Sequence, residues 1–224
     1  MADKIVGMEA SDLFSLGANF NPQSSSTSTL KDWPNALDSV GNNECETGIN
    51  ERSEYSTPYV YCNASPNIVT DLGTMFTAFG GVADSKAVTG LTVGFAAGSY
   101  ATVDVEGHNH AVNEHVTQKG ADISTVIPAV AGFGVPAIFV DTGTNSTPIS
   151  ATVTASLNHQ DREGADGEHW VGDNTTVQVV VTIDYIGTPT LATTGWSIDS
   201  QGATDGNQEF DGFSITAHKF FDLT

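Results

Sequence analysis

ISATVTASL, residues 149–157, decides the fold. Ile149, Ala151, Val153, Ala155 and Leu157 alternate with Ser150, Thr152, Thr154 and Ser156. Successive side chains on a strand point to opposite faces, so this alternation specifies one buried and one wetted face. That is the mark of an antiparallel sheet rather than of a parallel sheet covered on both sides.

The same period continues outward in both directions. Leu91, Val93 and Phe95 share one face of 91–95, and Val103 and Val105 alternate with Thr102, Asp104 and Glu106. Val177, Val179, Val181, Ile183 and Tyr185 fill one face of 177–186. Phe213, Ile215 and Ala217 alternate with Ser214, Thr216 and His218. Segments 123–130 and 135–140 add shorter strands. Strands of this kind joined by Gly-rich turns predict a mainly β fold, an antiparallel β-sandwich or barrel.

One stretch breaks the pattern. In SPNIVTDLGTMFTAFGGVAD, Ile68, Val69, Leu72, Met75, Phe76 and Phe79 recur at helical spacing, with Pro66 before them and Gly80-Gly81 after. The spacing predicts one short helix near 67–79. Residues 1–44 differ again. MEASDLFSLG reads as a short helix, and PQSSSTSTLKDWPNALDSVGNN as an extended polar stretch. Leu13, Phe14, Phe20 and Trp33 are spaced anchors within it. A disordered tail carries few large apolar residues. The expectation is therefore an extended N-terminal arm (1–44), docking on a neighbouring subunit, followed by a single β-rich domain (45–224).

Bulk composition restricts the partners. The 224 residues carry 27 Asp and Glu against 7 Lys and Arg, a formal net charge of −20. Such a chain is repelled by phosphate backbones and by anionic membrane surfaces, so tight nucleic-acid binding and membrane binding are not expected. No apolar run reaches the roughly 20 residues that span a bilayer. MADKIVGMEASDLF lacks a basic start followed by an apolar stretch, so no secretory signal is expected. Cys45 and Cys62 are the only cysteines. Their flanks, ECE and YVYC, could pair as neighbouring strands, leaving either a disulfide or two buried free thiols.

The histidines offer a candidate metal site. His108 and His110 are two apart on a strand continuation and so share a face, and His115 extends the series to His-x-His-x4-His. Neutral imidazoles so spaced can hold Zn²⁺ or Fe²⁺, although a polar strand edge or loop accounts for the same residues. GHNHAVNE resembles the first motif of the cupins, which implies a metal held by His108, His110 and Glu114. The family's second motif has no counterpart around His159, His169 or His218, and Gly107 stands directly against His108. Two acidic loops could bind Ca²⁺ weakly: Asp161, Glu163, Asp166 and Glu168, and Asp205, Asn207, Glu209 and Asp211. Solvated surface turns are the simpler reading of both.

Catalytic signatures are missing. There is no Gly-x-Ser-x-Gly elbow, no Gly-x4-Gly-Lys phosphate loop and no Gly-x-Gly-x2-Gly turn. Asn-x-Ser/Thr sequences begin at Asn63, Asn145 and Asn174, and matter only on a secretory route. Trp170 and Trp196 are candidates for a glycan-binding surface or for sheet packing. ATVDVEGHNHAVNEHV at 101–116 echoes ATVTASLNHQDREGADGEHWV at 151–171, as two β hairpins drawing on similar residues would.

VTGLTVGFAAGSYATVDVEGHNHAVNEH, SATVTASLNHQDREGADGEHWVGDN and FSITAHKFF resemble, in style and order over 85–220, bacteriophage virion structural proteins, tail-tube-like ones above all. The resemblance implies a non-enzymatic tube subunit, made in the host cytoplasm and located in the virion. Its implied partners are copies of itself and other virion proteins. A capsid decoration or fibre subunit and a cupin-like metal-binding enzyme are the alternatives.

Overall fold

The computed structural model describes residues 10–32, 35–37, 39–40, 43–46, 49–62, 68–80, 82–83, 86–110, 120–126, 140–141, 146–163, 169–204 and 211–223. Strands in chain order are β1 (Phe20–Pro22), β2 (Ser26–Asp32), β3 (Asn35–Leu37), β4 (Asn43–Glu46) and β5 (Ile49–Tyr61). Two short helices follow, α1 (Ile68–Leu72) and α2 (Thr74–Thr77). Then come β6 (Val82–Ala83), β7 (Lys86–Ala96), β8 (Ala101–His110) and β9 (Val140–Asp141). The chain ends with β10 (Thr147–Glu163), β11 (His169–Ile186), β12 (Leu191–Ala192), β13 (Ser197–Thr204) and β14 (Gly212–Phe221).

Ten of these strands form one sheet, in the order β1-β5-β8-β7-β10-β11-β14-β13, with β2 also on β5 and β6 on β7. Every pairing is antiparallel, as the alternating sequence predicts. The order does not close on itself, so the sheet is open and of the sandwich- or barrel-like class. The β10–β11 hairpin, strands of 17 and 18 residues, is its longest pair.

The alternating residues bury as one face. Val93, Val103, Val105, Val177, Val179 and Val181 are fully buried, and each contributes about 1.5–3 kcal/mol on leaving water. Val93 sits opposite Val103 on one side and Val153 on the other. The two Ala-Thr-Val segments of the sequence echo therefore flank β7 at the same level.

α1 and α2 pack against this face through Ile68, Leu72, Met75 and Phe76. The single helix read from the sequence is two. Gly73 breaks it with φ 50° and ψ −117°, a conformation open essentially to glycine alone. Segment 120–126 locks the pair in place. Phe79 and Ala121 exchange backbone hydrogen bonds of 2.9 Å each, and the Ile123 N–H donates to Phe76 O at 2.7 Å. Residues 124–126 are a 3₁₀ turn, so a strand over 123–130 is not found in its described part. Of 135–140, only Val140 is described, in β9.

The N-terminal region differs most from its reading. Residues 10–17 form turns and irregular backbone, not a helix. The Asp12 carboxylate accepts from the Leu16 and Gly17 N–H groups at 3.2 and 3.3 Å, and so organises that turn. Phe14 and Phe20 lie 3% exposed in the chain's own core, with Leu13 and Leu16 against it. These anchors pack within their own chain; Trp33 lies outside the described residues. The Ser/Thr stretch is β2, paired with β5 from Ser26↔Ser56 to Asp32↔Ile49. Pro58 sits where β1 hands over to β2, so its missing N–H removes no hydrogen bond from either pairing.

Candidate functional site

The solvent face of the sheet carries its polar alternates. On it, β2, β5, β8 and β7 enclose a cleft of about 480 Å³. Ladder register sets its chemistry. Glu54 of β5 stands opposite His108 of β8, and Ser56 opposite Glu106. Arg52 lies two residues before Glu54 on the same strand, its Nε 3.7 Å from Glu54 Oε1. Ser26 and Ser28 of β2 form one rim. Glu106 lies over Gly90 of β7, where an added Cβ would fall 2.9 Å from Oε2. The ammonium of Lys86 lies 5.1 Å from the centre of the Tyr55 ring, which packs against the core. The set contains donors only (Arg52), acceptors only (the two carboxylates) and hydroxyls that do both.

Of the metal ligands proposed from sequence, His108 is half-buried in this cleft. His110 ends β8 at the register position opposite Arg52, and its side chain lies outside the description. Glu114 and His115 lie outside the described residues. Among the described residues no three His, Cys, Asp or Glu side chains are grouped to hold a metal ion. The acidic loops fall mostly outside too. Asp161 and Glu163 belong to β10, opposite Gly172 and His169, so the hairpin runs further than a surface turn at 161–168 predicts. Asp211 is exposed.

Cys62 is exposed with a free thiol. Cys45 lies in β4, which pairs with β3 in a separate two-stranded sheet, while YVYC closes β5 between β1 and β8. The flanks of the two cysteines are therefore not the neighbouring strands read from sequence. The Cys45 side chain lies outside the described residues. Trp196 packs partly buried against the core, and the Trp170 side chain is not described.

The borders of the sheet are the second feature. β13 ends it on one side, with β1 and β2 at the other. Residues 197–203 of β13 are exposed, and the strand contains neither lysine nor proline. A register shift between Ile198 and Ser200 leaves Asp199 in a bulge, where its Oδ1 lies 2.7 Å from His218 Nδ1 of β14. Beside the strand runs a groove lined by Leu191, Ile198, Phe213 and Ile215 among others. Val40 and Tyr100 are exposed by 78% and 71%.

The cleft was not legible as a motif, because its residues come from four strands that only the ladder brings together. The available signal was the alternation of Arg52, Glu54 and Ser56 against Tyr55, Thr57 and Tyr59. Among the described residues no helix is long and apolar enough to cross a membrane. No known protein family matches this sequence in its family model, and no curated protein matches it.

Proposed function

We propose that this protein is a non-enzymatic virion structural subunit that assembles with its own copies through the borders of its sheet, as a phage tail tube subunit forming a conduit for DNA. The observation that carries this reading is β13, an eight-residue border strand exposed over 197–203. Border strands present unpaired N–H and C=O groups, and proteins that stay single blunt them with lysine, proline or a covering element. Among the described residues, β13 has only its bulge and acidic Asp199 for that purpose. Pairing across copies would continue the sheet around a ring. A net charge of −20 suits a passage from which a polyanion must slide freely. Exposed Tyr100 and Val40 supply further contact area, since Phe14 and Phe20 serve their own core. A capsid decoration or fibre subunit would use the same borders.

Negative-stain microscopy and light scattering of the purified chain test this reading. Rings, tubes or discrete oligomers are expected. The double substitution Ser200→Asp and Gly202→Asp adds like charge to the border. An added Cβ at Gly202 meets nothing within 4 Å, so the monomer keeps its fold. Assembly should be lost in that variant. A wild-type chain that is strictly monomeric at high concentration rejects the reading.

The enzymatic alternative is a cupin-like protein holding Zn²⁺ or Fe²⁺ through His108, His110 and Glu114. The position of His108 in a cleft with two carboxylates supports keeping it in view. Stoichiometric metal in the purified protein, lost on replacing His108 and His110, distinguishes it from the structural reading.

A further inference from the structure

We infer that the cleft between β2, β5, β8 and β7 binds a neutral saccharide. The inference is independent of whether the borders assemble. It rests on the match between fixed hydrogen-bonding groups and a ligand whose hydroxyls each donate and accept.

The cleft, at about 480 Å³, lies within the size range of small-ligand sites. Glu54 and Glu106 offer charged acceptors, and Arg52 offers charged donors. Ser26, Ser28 and Ser56 supply hydroxyls between them. Hydrogen bonds to ionised groups are about twice as strong as neutral ones, so vicinal sugar hydroxyls across Glu54 or Glu106 gain most. The groups stand on paired strands, Glu54 opposite His108 and Ser56 opposite Glu106, and need little ordering on binding.

Other ligand classes fit less well. An anion meets two carboxylates on a chain of net charge −20. A bare cation meets the Arg52 guanidinium, which already lies 3.7 Å from Glu54. An apolar ligand would strip water from carboxylates and hydroxyls without replacing their hydrogen bonds. A neutral polyol satisfies donors and acceptors together.

Saturation-transfer NMR on the full chain provides the test, with lactose, maltotriose and N-acetylchitotriose as probes and sialyllactose as the acidic comparison. Each is added at about 10 mM, suited to millimolar affinity. At least one neutral sugar should receive saturation. Glu54→Gln and Glu106→Gln should each weaken it roughly tenfold, the loss of one charge-assisted acceptor. Both side chains are exposed, and unchanged thermal melting should confirm that the variants fold. The inference is overturned if no neutral sugar binds, if sialyllactose alone binds, or if Glu54→Gln and Glu106→Gln both bind as tightly as wild type.

Discussion

Tyr59 Oη donates a 2.7 Å hydrogen bond to Asp12 Oδ1 and ties the N-terminal segment to β5. The Phe14 N–H donates in turn to the same phenol oxygen at 3.4 Å. Tyr61 makes the parallel connection to α1, donating to Asp71 Oδ2 at 2.6 Å, where Asn19 Nδ2 also donates at 2.9 Å. Two tyrosines two residues apart on β5 thus hold the chain's first segment and its helices. Burial first, then the hydrogen bond to Asp12 and that carboxylate's charge, push the Tyr59 phenol well above its ordinary range.

Tyr59→Phe removes a hydrogen bond to an ionised acceptor and should cost about 1.5–3 kcal/mol at neutral pH. The sign of the pH effect follows from the raised folded-state value. The native chain holds this proton more tightly than the unfolded chain, so the contribution is complete below about pH 10 and is lost as pH rises further. Urea unfolding at neutral pH and near pH 10.5 checks both points. The wild type should lose more stability between the two conditions than Tyr59→Phe does.

Phe20 connects the same region to the core by packing. Its ring lies edge-on to Tyr59 at 6.2 Å and tilted against Tyr61 at 5.0 Å. Phe20→Ala should therefore cost about 3–5 kcal/mol, measured by thermal or urea unfolding. A chain lacking residues 1–44 loses Phe14, Phe20, β1 and β2 together. It should fail to unfold cooperatively, whereas an arm serving only a neighbour would be dispensable for the fold.

Gly107 is the point where Phe14 meets the sheet. A Cβ there would fall 2.6 Å from Ala87 O and 2.9 Å from Phe14 Cε1. The backbone oxygen belongs to the adjacent strand and cannot turn aside, so Gly107→Ala should destabilise by about 1–3 kcal/mol. Equal melting temperatures for variant and wild type would contradict this packing.

Gly73→Ala tests the helix break. At φ 50° and ψ −117° a Cβ is strained whatever the space around it, and the nearest atom, Thr70 O, is at 3.7 Å. The expected loss is about 1–3 kcal/mol, carried by backbone conformation rather than by contact. Circular dichroism should show no gain in helix, because continuing α1 would pull Met75 and Phe76 out of the core.

The strands at 91–95, 101–106, 149–157, 177–186 and 213–220 were legible because each buries one face, which leaves period two in the sequence. β13 was not: SIDSQGAT carries Ile198 as its one large apolar residue, since a border strand has little core to face. β2 was hidden by composition. Its Ser/Thr run reads as a linker, yet Thr27 and Thr29 suit a strand, and β5 supplies the ladder. The helical period matches α1 and α2 as far as Thr77, but periodicity registers neither a single residue with positive φ nor the bridge at Phe79. In the cleft, His108 was singled out by its spacing from His110, and Glu106 shares its face two residues earlier on β8, while Arg52 and Glu54 became its neighbours only through β5–β8 register.

Salt should govern assembly in a direction that reports the nature of the contact. Each copy carries a formal charge of −20, so approach is opposed before any strand pairs. At about 0.01 M salt that repulsion extends roughly 30 Å, and at about 0.1 M roughly 10 Å. Ladder hydrogen bonds and the groove beside β13 are short-range and lose little on screening. The oligomer fraction should therefore rise with salt, and rise again as pH falls toward the isoelectric point near 4.2. Sedimentation velocity across a salt series measures it. Contacts held instead by opposite charges, such as the exposed Lys31–Glu51 pair exchanged between copies, would weaken over the same series. An oligomer that dissociates as salt is raised would place its interface at charged surface and away from β13.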